Sequence, residues 1–136
     1  SEIMIEEYIP GREITVGILG NKALPIVEIF PQKELFDYEC KYSKGMSNYV
    51  VPAEINKELA SKIQSDAIRI HESIGCKHYS RVDFMLDDDG NYYFLEINSL
   101  PGMTSTSLLP MAAKSAGVDF DNLIDIILNM AILDND

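Results

Sequence analysis

Apolar residues recur at spacings of three and four in two stretches of the chain, which is the pattern of an amphipathic helix. The first stretch covers residues 54–74 and stops at Gly75, a residue type that often ends helices. The second covers residues 120–133, with Asp119 placed to cap its amino terminus. A shorter helix is predicted to begin near Ser107. The pattern therefore predicts two long helices and one short one.

Three further runs, residues 3–9, 13–19 and 24–30, are rich in β-formers and predict strands. The second and third join through Gly20-Asn21-Lys22, where Gly and Asn accept the positive φ of a hairpin turn. Strands come first, then a helix, then strands, then helices. This order predicts an α+β fold with an antiparallel sheet packed against helices. No repeat or linker divides the chain, so residues 1–136 are predicted to form one domain.

A second hairpin is predicted over residues 79–98, with its turn at residues 88–91. Side chains alternate across a strand, so this turn places Asp83 opposite Glu96 and Arg81 opposite Asn98 on one face. The other face is apolar. The remaining predicted pairs are Val82 with Ile97, Phe84 with Leu95, Leu86 with Tyr93, Met85 with Phe94, and Asp87 with Tyr92.

The facing pair Asp83 and Glu96 is the strongest chemical signal in the sequence. Opposed Cβ atoms lie about 4.5–5.5 Å apart, so the two carboxylates repel unless a cation or a shared proton relieves them. Oxygen ligands from Asp, Glu and Asn suit Mg²⁺, with phosphate oxygens completing its coordination. A solvated polar face on a half-exposed sheet remains the alternative on the hairpin alone.

The segment after the hairpin, residues 98–107, is a loop of small and hydroxyl residues that leads into the short helix. Free amides at a helix amino terminus bind anions such as carboxylates. Metal ligands and an anion-binding helix end within one short segment indicate a site for a phosphate and a carboxylate together.

Composition narrows the classes of partner. The net charge of −11 argues against binding to a nucleic-acid backbone, and no apolar run is long enough to span a bilayer. Cys40 and Cys76 lack a metal-like spacing and are expected to be reduced thiols of a cytoplasmic protein. The chain begins with Ser1 rather than Met, which suggests a piece of a longer protein.

In five ordered blocks the sequence resembles the ATP-grasp superfamily and, more closely, its D-alanine–D-alanine ligases. The resemblance implies that the chain is the C-terminal ATP-grasp domain of a longer enzyme. The blocks are Ile5-Glu6-Glu7-Tyr8-Ile9 with Gly11-Arg12-Glu13, Phe36-Asp37-Tyr38-Glu39-Cys40-Lys41-Tyr42, Arg81-Val82-Asp83, Leu95-Glu96-Ile97-Asn98, and Pro101-Gly102-Met103-Thr104 continuing to Ser107-Leu108-Leu109-Pro110.

The resemblance implies an ATP site near the amino terminus of the chain. By it, Glu6, Glu7 and Ile9 line the adenine pocket and Glu13 binds the ribose. Met85 is a weaker candidate for the floor of the adenine pocket, because a methionine opposite an aromatic residue is more often simple packing.

The resemblance also implies two Mg²⁺ or Mn²⁺ ions. Asp83 and Glu96 bind metal, with Glu96 bridging the two ions and Asn98 holding the second. Arg81 and the backbone amide of Gly102 steady the charge that develops on the acyl phosphate and the tetrahedral intermediate.

For the second amino acid, the resemblance implies that Lys41, Ser107 and the amide of Leu108 receive its carboxylate. Tyr42 then belongs to a loop that closes over the site. Tyr42 also goes with dipeptide-forming members rather than with those that make D-alanyl-D-lactate.

The implied reaction is ATP-dependent ligation of two D-alanines for peptidoglycan synthesis in the bacterial cell wall. The implied partners are ATP, D-alanine and the N-terminal and central domains of the same chain. The resemblance also allows a homodimer of the full-length enzyme. The fragment alone is expected to be inactive. Another ATP-grasp carboxylate–amine or carboxylate–thiol ligase, a D-alanine–D-lactate ligase and a non-catalytic binding module remain alternatives.

Overall fold

A computed structural model describes residues 2–30 and 49–134 of the chain, and within them the fold is an antiparallel sheet with three helices. The sheet order is β4-β3-β1-β5-β6, and β2 pairs with one end of β1. This confirms the predicted α+β class. The strands are β1 Arg12–Leu19, β2 Lys22–Ala23, β3 Val27–Ile29, β4 Tyr49–Val50, β5 Tyr79–Leu86 and β6 Tyr92–Asn98, and the helices are α1 Lys57–Ser73, α2 Leu108–Ser115 and α3 Phe120–Leu133.

Helix α1 covers one face of the sheet, which we call the core face. Its amino terminus is set by Asn56, whose side chain accepts a hydrogen bond from the amide of Glu58, so the helix begins three residues later than predicted. Ile63 and Ala67 of α1 are fully buried against the sheet. Their sheet partners are Ile14, Val16, Ile18, Val82, Phe84 and Leu86.

Helices α2 and α3 cover part of the opposite face. Gly17 of β1 makes this packing possible, because a Cβ at that position would lie 2.6 Å from a methyl carbon of Leu109 in α2. Leu109 and Leu123 form a second buried cluster with Leu24 and other apolar residues. Asp119 caps α3 as predicted and α3 has the predicted bounds, while α2 begins at Leu108, next to the predicted start near Ser107. The rest of this face is left open by α2 and α3.

Two strand predictions were wrong in detail. Residues 2–10 form no helix or strand, are largely exposed and lie outside the sheet, so the predicted strand at residues 3–9 is absent. A β-rich run becomes a strand only where a neighbour supplies a hydrogen-bonding ladder, and here the described chain supplies none. The run at residues 24–30 is interrupted at Leu24-Pro25-Ile26, because proline cannot donate to a ladder. Only Val27–Ile29 of that run is a strand.

The register of the second hairpin is partly as predicted. Asp83 pairs with Glu96 and Arg81 with Asn98, as the alternation required. A bulge between Asp83 and Phe84 then shifts the rest by one residue. Val82 pairs with Ile97, as predicted. Nearer the turn, Phe84 pairs with Phe94, Met85 with Tyr93 and Leu86 with Tyr92, so the four pairings predicted for residues 84–87 are wrong.

The bulge has a clear packing reason. The Phe84 ring makes edge contacts with Tyr92 at 5.8 Å and Phe94 at 6.2 Å between ring centroids. These two aromatic residues therefore lie on the core face, and Leu95 becomes the extra residue with 47% of its surface exposed. No helix in the described residues is long and apolar enough to cross a membrane.

Candidate active site

The part of the sheet that α2 and α3 leave open has three neighbouring rows of side chains, and two of these rows carry the predicted metal ligands. The pairing of β1, β5 and β6 places the middle row between a row nearer the turn and a row nearer α2, each about 7 Å from the next. We call this surface the polar face. Its rows are Glu13 and Met85, then Thr15, Asp83 and Glu96, then Gly17, Arg81 and Asn98.

Asp83 is the most tightly held side chain of the polar face, with 5% of its surface exposed. Arg81 donates to both of its oxygens, from Nε to Oδ1 at 2.9 Å and from Nη2 to Oδ2 at 2.8 Å. The hydroxyl of Thr15 donates a further short hydrogen bond to Oδ1. A buried carboxylate is stable only when donors or cations compensate its charge, and these contacts do so.

Glu96 and Asn98 stand next to this pair on the edge strand β6. Glu96 is exposed, and none of the described residues donates a hydrogen bond to its carboxylate. Asn98 is half-buried, and its Oδ1 accepts a hydrogen bond from the amide of Leu100 at 3.0 Å. An amide oxygen has two lone pairs, so Asn98 keeps one for another partner.

The donor set fits a hard divalent cation. Asp83, Glu96 and Asn98 present two carboxylates and an amide oxygen on one face, which are the oxygen ligands that Mg²⁺ and Mn²⁺ bind. Over the described ranges, no three acidic, histidine or cysteine side chains gather as a metal cluster of their own. This agrees with sites where substrate phosphates and water supply the remaining ligands.

Arg81 is the positive centre of the polar face. Its hydrogen bonds to Asp83 raise its pKa, and the charges of Asp83, Glu96 and Glu13 act in the same direction against the cost of burial. The guanidinium therefore stays charged. Its pairing with Asp83 uses two of its five N–H bonds, so the remaining N–H groups can serve a substrate oxygen.

The loop after β6 leads to the start of α2, which the sequence predicted to bind an anion. Because Leu109 packs on Gly17, the start of α2 lies over the row that contains Arg81. Ser107 occupies the N-cap position but does not cap the helix: its Oγ accepts from the amide of Thr104 at 3.1 Å. The amide of Leu108 is the first of α2, and a first-turn amide has no carbonyl acceptor within its own helix, so it is suited to an anion.

Gly102 lies close to this helix start. A Cβ there would stand 3.0 Å from the Ser107 hydroxyl, so the loop passes Ser107 too closely for a larger residue without adjustment. Gly102 is exposed, which leaves its backbone accessible to a ligand. The structure thus brings Gly102, Ser107 and Leu108 together at the end of the polar face nearest Arg81.

The predicted nucleotide residues lie at the other end. Glu13 pairs with Met85, and Met85 pairs with Tyr93 on the edge strand. Burial raises the pKa of Tyr93, and the charges of Asp87 and Glu7 add to the rise. Glu6 lies beside Glu7 in the same exposed segment, and Ile9 is half-buried.

Some of the predictions lie outside the described residues: those for Lys41, Tyr42 and Cys40. Cys76 carries a free thiol, as predicted. Thr15 was missed, and its one local signal is that a polar residue stands between the apolar residues Ile14 and Val16 of the central strand. Such a residue needs a partner, and that partner is Asp83.

Comparison with known proteins gives this geometry a family. A family model described as "D-ala D-ala ligase C-terminus" matches residues 1–129. The chain belongs to this family. The D-alanine–D-alanine ligase of Halalkalibacterium halodurans is 47% identical over 135 residues, covering 96% of this chain and 44% of the relative. That of Aquifex aeolicus is 48% identical over 126 residues, covering 93% of this chain and 43% of the relative.

Solved structures of the D-alanine–D-alanine ligase from Bacillus anthracis share the fold. One aligns with a TM-score of 0.77 at 38% identity, covering 93% of this chain and 42% of that one. Another, complexed with ATP, aligns with a TM-score of 0.75 at 32% identity, covering 93% and 39%. The chain thus spans less than half the length of the relatives it matches, in the C-terminal, ATP-grasp part of these ligases.

Proposed function

We propose that this chain supplies the metal-binding and bond-forming face of a D-alanine–D-alanine ligase. The ligase transfers the γ-phosphoryl group of ATP to the carboxylate of one D-alanine. The amine of a second D-alanine then attacks the acyl phosphate, phosphate leaves, and D-alanyl-D-alanine forms. This product serves peptidoglycan synthesis in the cytoplasm of a bacterium.

The observation that carries the proposal is the confirmed pairing of Asp83 with Glu96 beside Arg81 on an open face. A face that served only solvation would not need a buried carboxylate held by a guanidinium and a hydroxyl. The family supplies the reaction class, because its named members are D-alanine–D-alanine ligases.

In this proposal the nucleotide lies along the three rows of the polar face. We place the adenine and ribose at the row of Glu13 and Met85, with Glu6, Glu7 and Ile9 nearby. The phosphates then extend towards Asp83 and Glu96. A solved structure of the Bacillus anthracis relative is complexed with ATP, which supports a nucleotide as the ligand of the ligase.

Asp83, Glu96 and Asn98 would hold two Mg²⁺ or Mn²⁺ ions, with Glu96 shared between them. Such ions neutralise charge on the β- and γ-phosphates. Arg81 keeps N–H groups for the transferring phosphoryl group and the oxyanion, and its raised pKa ensures that they stay charged. The Gly102 amide donates to the same oxyanion.

The second D-alanine is oriented by its carboxylate. The uncapped amide of Leu108 and the hydroxyl of Ser107 receive it at the start of α2, where the helix dipole favours negative charge. Lys41 would add a positive charge, and Tyr42 would lie on the loop that closes over the site. A fixed carboxylate directs the amine of the second D-alanine towards the acyl carbon. Holding the two reacting groups in this orientation raises the reaction rate.

The polar face alone would serve other carboxylate–amine ligases of the ATP-grasp superfamily. The observation that favours D-alanine is the identity of the relatives at 47% and 48%, both named for that substrate. We also propose that the chain by itself makes no dipeptide. The relatives are more than twice as long, and misplacement of the γ-phosphate by about 1 Å can cost about a hundredfold in rate.

A chimera tests the proposal. The C-terminal part of the Halalkalibacterium halodurans ligase that matches this chain is replaced by the chain itself, and dipeptide and phosphate release are measured with ATP, Mg²⁺ and D-alanine. We expect a chimera that forms D-alanyl-D-alanine, and no product from the chain alone. A folded chimera that binds ATP but forms no dipeptide would refute the assigned substrate.

The matched control is the chimera with Asp83→Asn. Asparagine keeps the shape and removes the charge, so the fold should remain while activity falls. A chimera that kept full activity with Asp83→Asn would refute the metal-binding role of this face. Product formed by the chain alone at a few per cent of the chimera's rate would show that the essential groups all lie within it.

A further inference from the structure

Thr15 is a threonine of the central strand β1 whose buried hydroxyl contacts Asp83 but is not itself one of the proposed ligands. It lies directly between Val27 of β3 and Asp83 of β5 in the sheet register, with 1% of its surface exposed. Its neighbours along β1, Ile14 and Val16, are fully buried on the core face. The Thr15 side chain therefore points to the polar face, where Asp83 covers it.

The hydroxyl of Thr15 has two acceptors within reach. It makes a short hydrogen bond to Oδ1 of Asp83 and stands 3.3 Å from the carbonyl oxygen of Val82. A hydroxyl has one proton to donate, and hydrogen bonds to a charged acceptor are shorter and stronger than those to a neutral one. The proton therefore belongs to the bond with Asp83.

A count of lone pairs shows what this bond does to Asp83. Each carboxylate oxygen accepts about two hydrogen bonds. Oδ1 already accepts from Thr15 and from Nε of Arg81, whereas Oδ2 accepts only from Nη2 of Arg81 among the described residues. Oδ2 is thus the one oxygen of Asp83 with a position left for a cation.

We propose that Thr15 is a positioning residue, whose hydroxyl fixes the Asp83 carboxylate so that it binds a divalent cation through Oδ2 alone. The inference rests on the proposed function and extends it to a residue outside the ligand set. Groups that hydrogen-bond a metal ligand set its orientation, and their loss typically weakens metal affinity about 10- to 100-fold.

Thr15 suits this role better than Arg81 does. The terminal torsion of an aspartate is soft, so the carboxylate turns unless it is held. Arg81 holds it through a long, partly exposed side chain that also serves the substrate. Thr15 is β-branched, which restricts its χ1, and it sits on a strand that is paired on both sides. It holds Asp83 whether or not Arg81 moves.

Three variants of the chain, compared with the parent, separate the effect of the hydroxyl from that of the methyl group. Thr15→Val keeps the shape of the parent and loses the hydroxyl. Thr15→Ser and Thr15→Ala both lose the methyl group and differ only in the hydroxyl. Each protein is stripped of metal and titrated with Mn²⁺, with free Mn²⁺ read by electron paramagnetic resonance and binding expressed per folded molecule.

We expect Thr15→Val and Thr15→Ala to bind Mn²⁺ about 10- to 100-fold more weakly than the parent and Thr15→Ser respectively. Urea unfolding in the presence of a chelator gives the stability of each variant without metal. A merely structural hydroxyl would lower stability but leave the Mn²⁺ affinity of the folded molecules unchanged. That result would overturn the proposal.

Asp83→Asn and Glu96→Gln separate this proposal from the function on which it rests. If the parent binds no Mn²⁺, or if both carboxylate variants bind as tightly as the parent, the metal site and the role of Thr15 both fail. If the carboxylate variants lose Mn²⁺ while Thr15→Val and Thr15→Ala keep the affinity of their partners, only the role of Thr15 fails. Should Thr15→Val not fold, the comparison of Thr15→Ala with Thr15→Ser still decides.

Discussion

The core face and the polar face are built from the same strands, and they differ in almost every other respect. On the core face, Val82 and Phe84 are buried under α1. On the polar face, Asp83 lies between them in sequence and turns to the open side. Alternation along one strand thus gives a core residue, a site residue and a core residue in succession.

The difference shows how the candidate site is kept rigid. Asp83 and Arg81 need no helix packed over them, because Val82 and Phe84 of the same strand are buried in the core and hold the backbone in place. The polar face can therefore concentrate charge at some cost in stability while the core face supplies the stability. Mutations on the two faces should consequently separate stability from function.

The largest expected effect is on the core face. Phe84→Ala should lower the free energy of unfolding by about 3–5 kcal/mol, because it removes a fully buried ring and leaves a cavity. Urea denaturation of the chain measures this. Leu95→Ala, a large apolar residue on the adjacent strand but half-exposed at the bulge, is the control and should cost under about 1 kcal/mol. Equal losses would mean that the bulge does not expose Leu95.

On the polar face the effect should fall on activity instead. Glu96→Gln in the chimera should lower the rate at least about a hundredfold, equivalent to about 2.7 kcal/mol. Stability should change by no more than about 0.5 kcal/mol, because Glu96 is exposed. Glu72→Gln, an exposed glutamate on α1, should leave both unchanged. A large loss of stability with Glu96→Gln would contradict the division of labour between the faces.

The register at the end of the hairpin that carries Asp83 and Glu96 could be predicted from the sequence, whereas the register at the turn end could not. At the first, polar and apolar residues alternate cleanly from Arg81 to Asp83 and from Glu96 to Asn98, so one register satisfies both faces. At the second, residues 92–95 are all apolar or aromatic, and alternation does not choose between registers. The ring contacts of Phe84 decide it, and they exist only in three dimensions.

The helices were predictable because their signals are local. The apolar periodicity of α3 and its cap Asp119 lie within one segment, and the start of α2 near Ser107 is likewise read from neighbouring residues, so both helices begin where expected. The strand predicted at residues 3–9 failed because a strand depends on a neighbour that its own residues do not encode. Thr15 was missed for the same reason, since its importance lies in Asp83, distant in sequence and adjacent in the sheet.

A smaller effect on stability is expected from the hydrogen bond that the bulge allows on the core face, behind the candidate site. The hydroxyl of Tyr92 donates to Asp66 of α1 at 2.5 Å, a bond that the predicted register would not have formed. Tyr92→Phe should cost about 1 kcal/mol at neutral pH. Burial and the bond to Asp66 raise the pKa of Tyr92 to about 12, above its ordinary value of 10.0.

The raised pKa of Tyr92 fixes the sign of a pH effect. The folded chain favours the protonated phenol, so this contribution is complete below pH 10 and is lost as pH rises from 10 towards 12. Urea denaturation at a series of alkaline pH values should show a steeper decline for the parent than for Tyr92→Phe. Parallel declines would mean that Tyr92 does not reach Asp66 in solution.

The smallest expected effect lies at the end of the core face, where His71 of α1 meets Ser80 of β5 at 2.7 Å between Nδ1 and Oγ. Burial lowers the pKa of His71 below 6.5, and the charge of Glu72 offsets this only in part. The fold therefore favours neutral histidine. This contribution is complete above pH 6.5 and is lost as pH falls from 6.5 through the lowered folded value. The chain has two histidines, so a His78→Gln variant leaves one imidazole signal to follow by NMR. A titration midpoint below 6.5 is expected. A midpoint at or above 6.5 would mean that water reaches His71, and that α1 closes this end of the core face less tightly than it closes the part behind Asp83.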